Sequence, residues 1–214
     1  IQLNRAPAIK CVGPEFLQPY HHHNSRPSQM VPAFPRLQTM NLLGMVEWEK
    51  WEWEEQVQAF PVLQQLVLKH CKLKRLPPGL ASQAKALNKL FIYYVQSLIS
   101  LENFPSVVEL ETLEGVPALQ RLILTEKDME TLPEYMGSIK PRHLELYCSL
   151  ALLASIAVGQ FGLEWDKFSH VEHVKAYARE GDNARKWYVL YTGNPYKLET
   201  NVSRSSMSRG GREA

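Results

Sequence analysis

The sequence predicts an α/β fold built from stacked coils. Each coil contributes one short strand to a parallel sheet on the concave side, and a helix-plus-strand cap closes the C-terminal end. Three observations predict it: a recurring apolar phrase, its spacing, and prolines placed where each coil must turn.

The phrase is an apolar residue, two variable ones, a second apolar residue, one variable, and a third apolar residue. It reads Leu37-Met40-Leu42, Leu63-Leu66-Leu68, Leu87-Leu90-Ile92 and Leu119-Leu122-Leu124. Leu144 and Leu146 end a partial copy, Val107-Leu110 is another, and Ile1-Leu3 looks like a copy missing its start. The second apolar positions are 40, 66, 90, 110, 122 and 144, giving steps of 26, 24, 20, 12 and 22. Four of these fit the roughly 20–29 residues of a leucine-rich repeat.

The last apolar pair of each phrase, one residue apart, is a strand that buries alternate side chains. Phe34-Pro35, Phe60-Pro61 and Phe104-Pro105 open three copies, and Val116-Pro117 opens a fourth. Leu76-Pro77 and Leu132-Pro133 end regular structure after a strand. One coil cannot bury its own apolar face, so stacking is obligatory. The expectation is a leucine-rich-repeat solenoid over residues 1–150.

Two irregularities are expected within it. Residues about 19–33 look like an inserted loop, and the step of 12 marks a shortened repeat at about 108–118. Either Val107-Leu110 is not a strand or material was lost near Glu111, and the intact phrasing on both sides favours loss. The phrase then stops. Leu150 to Val158 is half the length of a membrane span and reads as a buried helix. Trp165, Phe168, Val171, Val174 and Ala178 have helical spacing. Lys186 to Tyr191 is rich in strand formers, and Gly193-Asn194-Pro195 turns the chain after it. Residues 151–200 are therefore expected to cap the array, with a disordered Ser/Arg/Gly-rich tail at 201–214.

Composition narrows the function. The chain has 214 residues, 45% of them hydrophobic, with 24 basic and 22 acidic side chains for a net charge of +2. A core is available, and so balanced a charge does not point to nucleic acid. Ile1 lies inside an apolar-patterned run, so the chain is expected to be a piece of a longer protein. Cys11, Cys71 and Cys148 are odd in number and far apart, which favours free thiols in a reducing compartment over disulfides or zinc.

The phrase Phe60-Pro-x-Leu-x-x-Leu-x-Leu-x-x-Cys71-x-Leu-x-x-Leu-Pro77 resembles the repeats of plant intracellular nucleotide-binding, leucine-rich-repeat (NLR) disease-resistance proteins. So do Leu113-Glu-Gly-Val-Pro-Ala-Leu119 and the terminal Arg185-Lys-Trp-Tyr-Val-Leu-Tyr191. The likeness is greatest to grass members with an N-terminal coiled coil, and it covers nearly the whole chain. It implies a cytoplasmic region that detects a pathogen effector or guarded host protein and restrains the receptor's nucleotide-binding module. ADP or ATP would belong to that upstream module, because its glycine-rich phosphate loop does not occur here. The Asn ladder and Gly-x-Ile-Pro ending of extracellular plant repeats do not recur either.

Candidate contact residues are the variable positions beside each strand. They include Val67, Lys69, Lys89, Phe91, Tyr93, Arg121, Ile123 and Glu145, with Asn41, Leu43, Gln65, Glu109, Glu111 and Tyr147 in equivalent places. Apolar and aromatic residues exposed there would anchor a protein partner. Trp48, Trp51 and Trp53 among glutamates form a second candidate contact loop for a basic surface, unless the rings simply pack on the flank. The basic run Lys69, His70, Lys72, Lys74 and Arg75 is either a solvated face or an electrostatic contact with an acidic patch of the upstream module. His21-His22-His23, and His170 with His173, lack partners at metal-ligand spacing. No nucleophile arrangement points to an enzyme. Asn201-Val202-Ser203 is a glycosylation sequon, relevant only to a secreted protein.

Overall fold

The computed structural model describes residues 1–17, 32–52, 59–77, 79–101, 119–180 and 185–203. They belong to two compact units, Ile1–Leu119 and Gln120–Ala214. The expected inserted loop lies almost wholly outside the described residues. So do the shortened repeat, Trp53, Glu109, Glu111, the His21 run and residues 204–214.

The first unit contains β1 (Gln2–Asn4), β2 (Cys11–Val12), β3 (Thr39–Leu43), β4 (Lys50–Trp51), β5 (Gln65–Lys69), the one-turn helix α1 (Leu80–Gln83) and β6 (Lys89–Tyr93). Strands β1, β3, β5 and β6 pair in parallel, each with the next. The register aligns the recurring phrase with itself: Met40 faces Leu66, which faces Leu90, and Leu42 faces Leu68, which faces Ile92. All six are buried, and burying each large apolar side chain contributes about 1.5–3 kcal/mol.

Each Phe-Pro opening that is described forms a tight turn before its strand. Leu37 N donates to Phe34 O at 3.3 Å and Leu63 N to Phe60 O at 3.2 Å, with Ala84 and Leu87 repeating the turn at 2.8 Å. Proline is suited to the second position of such a turn, where its fixed φ is already correct. The return segments stack as well. Glu49 N donates to Lys10 O, Lys74 N to Glu49 O and Ile99 N to Lys74 O, while β2 pairs with β4 and Arg75 bridges Ser100, both in parallel. Successive coils are thus tied on two sides at once.

The second unit contains β7 (Arg121–Thr125), β8 (His143–Tyr147), α2 (Leu150–Ala157), α3 (Trp165–Phe168), β9 (His173–Glu180), β10 (Arg185–Thr192) and β11 (Lys197–Thr200). Strands β7, β8 and β9 are parallel, and β9, β10 and β11 are antiparallel. The expected helix at Leu150 is present as α2, with Leu152, Leu153 and Ile156 buried and Ser149 Oγ accepting Leu152 N at 3.1 Å as its cap. The expected strand at Lys186–Tyr191 is β10, and Gly193-Asn194-Pro195 turns it into β11.

The expected helix over Trp165–Ala178 is corrected. Only Trp165–Phe168 is helical, and His173–Glu180 is a strand. Val174, Ala176 and Ala178 are buried in strict alternation, a period of two that the helical spacing of five residues had masked. Pairing with β8 and β10 on both sides decides the outcome. Of the expected tail, residues 201–203 are described, and Asn201 finishes the sheet. Its amide accepts Tyr188 N at 2.8 Å and donates to Lys186 O at 3.0 Å, occupying a strand edge that would otherwise be open.

Candidate functional site

Because strand side chains alternate, each buried leucine ladder leaves a second set of side chains pointing away from the core. In the first unit the register aligns Asn41 with Val67 and Phe91, Leu43 with Lys69 and Tyr93, and Thr39 with Gln65 and Lys89. Lys69 and Lys89 are exposed, whereas Val67, Phe91 and Tyr93 are half-buried. The Phe91 and Tyr93 rings lie 6.3 Å apart in stacked orientation. This outer row is a hydrophobic and aromatic strip edged by ammonium groups.

A feature absent from the sequence reading ends the row. The residue following each strand, Arg5, Gly44, His70 or Tyr94, has φ between 50° and 68°. Its N–H still continues the ladder: Arg5 N donates to Leu43 O, Gly44 N to Lys69 O and His70 N to Tyr93 O. The left-handed residue then swings the chain into the next turn. A positive φ on a bulky side chain is uncommon, so Arg5, His70 and Tyr94 gave no sequence signal of it, and only Gly44 is a residue suited to that region.

In the second unit the outer row is charged. Arg121 donates to Glu145 at 2.6 Å, and the Tyr147 hydroxyl donates to the same carboxylate at 2.8 Å. Burial pushes the Glu145 carboxyl up, but Tyr147 and Arg121 outweigh it and hold it below its ordinary range. His143 and His173 stack across β8 and β9 at 4.9 Å and 9°. Burial, then the neighbouring His173 and Arg142, push the His143 imidazole down. The sheet register adds Lys175, Tyr177 and Arg179 from β9, and Lys186 and Tyr188 from β10, to this same side. Lys175, Tyr177 and Arg179 were missed because the residues of β9 read as helix, and Lys186 and Tyr188 because their strand was read as a cap and not as part of the outer row.

Comparison with known proteins adds one partial likeness. The chain is 32% identical over 112 residues to the "Probable disease resistance protein RF9" of Arabidopsis thaliana, a stretch covering 45% of this chain. The chain spans about a tenth of that protein's length, as the match covers 10% of it. No family model matches the chain, and no solved structure matches it significantly. A plant resistance-protein-like repeat region on a mixed α/β fold with a mostly parallel sheet is what these findings support.

Packing decides between the two readings of the tryptophan loop, against partner contact by Trp48 and Trp51. Trp48 is fully buried and Trp51 is 4% exposed. Their rings meet at 5.3 Å and reach the buried Phe60, 6.5 Å from Trp51, and Trp48 Nε1 donates to Lys50 O at 2.7 Å. They fill the flank between coils and cannot grip a partner, while Trp53 lies outside the described residues. The glutamates beside them face the basic run of the next coil. Glu47 pairs with Lys72 at 3.0 Å and Glu49 with Lys74 at 2.8 Å. The acidic and basic stretches are therefore each other's partners at four of their charges. Lys74 holds the Glu49 carboxyl below its ordinary range.

Ile123 is also corrected. At 6% exposure it is buried, unlike Arg121 and Glu145 in the same row. Cys71 and Cys148 are buried and free, and burial pushes the Cys148 thiol up to about 12. His170 Nε2 lies 2.7 Å from Ile139 O, in the loop before β9 and not on a helix. Among the described residues no cluster of three or more ligating side chains occurs, and no helix is long and apolar enough to cross a membrane.

Proposed function

We propose that this chain is the recognition and autoinhibitory region of a plant intracellular immune receptor of the coiled-coil, grass-like NLR class. Its stacked coils form a leucine-rich-repeat solenoid. The observation that carries this reading is the likeness to a disease resistance protein in a chain whose strands pair in register along a leucine-rich phrase. The region works in the cytoplasm by binding protein and performs no catalysis. Its outer strand residues contact a pathogen effector or guarded host protein, and they contact the receptor's own nucleotide-binding module at rest. ADP or ATP belongs to that module.

The test begins with the transcript upstream of the Ile1 codon. An open frame encoding a glycine-rich phosphate loop is expected. The chain is then co-expressed with the encoded module, and co-purification should fall when Phe91→Ala removes the half-buried ring from the outer row. A start codon close to Ile1 with no such loop would overturn the receptor reading and favour a free-standing repeat scaffold.

A further inference from the structure

We propose that the outer face of the second unit's sheet docks an extended acidic segment of a partner protein, with carboxylates seated at two cationic stations along β9. The inference rests on the reading above only in taking the outer strand face as a contact surface.

The first station is a hollow of about 380 Å³ beside the start of β9. Stacked His143 and His173, the ammonium of Lys175, the Thr192 hydroxyl and the paired Lys197 and Glu199 are among the side chains lining it. The second station is formed by Arg179 and Lys186, which face one another across β9 and β10. A strand rises about 3.3 Å per residue, so Lys175 and Arg179 stand about 13 Å apart. Tyr177 lies between them, with Tyr147 at 5.3 Å on one side and Tyr188 aligned on the other.

Charge decides what fits. Arg121 and Lys197 are neutralised by Glu145 and Glu199. Lys175 stands beside Glu145, which Arg121 already holds, and among the described residues neither Arg179 nor Lys186 has an ion-pair partner on this face, which leaves it cationic. An extended peptide with carboxylates four residues apart would meet both stations, its middle side chain passing beside Tyr147 and Tyr188, which flank the Tyr177 ring that Lys186 covers. A nucleic acid fits less well. Lys186 Nζ sits 4.1 Å over the Tyr177 ring, where a base would have to stack.

The probe is a fluorescein-labelled peptide repeating Glu-Ser-Leu-Ser-Glu, titrated by anisotropy against the full chain. Binding should weaken as salt rises from about 50 to about 300 mM, and the matching Gln-Ser-Leu-Ser-Gln peptide should not bind. Lys175→Glu with Arg179→Glu should weaken the acidic peptide by about tenfold or more with an unchanged melting curve. If that pair unfolds the chain, the milder Lys175→Gln with Arg179→Gln is read in its place. Acidic-peptide affinity untouched by the folded variant would overturn the inference, as would tighter binding of an oligothymidylate. Phe91→Ala and co-purification with the upstream module test the other reading independently, since Phe91 lies in the first unit and the peptide stations in the second.

Discussion

His70 and Tyr94 hold the same place in successive coils, each one residue beyond its strand. Both have positive φ, 51° and 54°, and their rings stack at 4.7 Å with an interplanar angle of 3°. The left-handed backbone aims the two side chains along one line, so the strained position also produces the contact. A double-mutant cycle of His70→Ala and Tyr94→Ala should return a coupling of about 0.5–1.5 kcal/mol. Additive losses in denaturant melts would mean that the rings merely lie near one another.

Gly44 is the glycine in this series, at φ 68°, and a Cβ there would meet nothing closer than 3.5 Å. Space is available, so only conformation resists substitution. Gly44→Val should cost about 2 kcal/mol or more, because a β-branched side chain is poorly tolerated in the left-handed region. Gly44→Asn should cost much less, since Asn visits that region. Equal losses for the two variants would show that packing, not φ, sets the requirement.

Leu66 lies in the middle of a buried ladder between Met40 and Leu90 and is itself fully buried. Leu66→Asp places an uncompensated carboxylate there and should abolish the cooperative unfolding transition of the first unit. A circular dichroism spectrum and melt identical to the parent's would contradict the stacked-coil arrangement.

The buried half of the fold was legible because repetition multiplies a weak local signal. One Leu-x-Leu is ambiguous, but Leu66-Leu68 and Leu90-Ile92 at matched spacing predict both strands and their register. The outer half was less legible. Trp48 and Trp51 sit among glutamates that resemble an exposed contact loop, and only three-dimensional stacking reveals that Glu47 and Glu49 reach forward to Lys72 and Lys74. Where the repeat ceased, Val174 and Ala178, four residues apart, fit both periodicities. The choice of strand depended on partners distant in sequence, β8 and β10.

That reassignment predicts opposite outcomes for adjacent residues. Trp48→Ala empties a fully buried site and should cost about 3–5 kcal/mol. Glu47→Gln removes an ion pair whose two side chains are 44% and 55% exposed, and should change stability by less than about 0.5 kcal/mol. The measurement is urea denaturation of each variant. Comparable effects would place Trp48 outside the core.

Thiol chemistry offers an independent check of burial in both units. Cys11 is exposed, while Cys71 and Cys148 are buried and burial raises both of their thiols. At mildly alkaline pH one thiol should react quickly with an aromatic disulfide reagent, and two more only after denaturation. Fast reaction lost on Cys11→Ser would identify the exposed thiol. Three equal fast phases in the native protein would be incompatible with the two buried cysteines.

The His143–His173 stack makes stability depend on pH in a definite direction. The His143 imidazole is pushed down from its ordinary value of 6.5, first by burial, then by His173 and Arg142, with Glu172 opposing. The unfolded chain therefore binds the proton more readily than the folded one. The contribution of neutral His143 is fully present above the ordinary value and is lost as pH falls below it. The lowered carboxyls of Glu145 and Glu172 act in the same direction, but only near and below their ordinary value of 4.5. Denaturant melts between about pH 7 and pH 5.5 separate the two windows. The parent should lose stability across that range, and His143→Gln should lose less. An identical slope in the variant would assign the acid sensitivity to other groups.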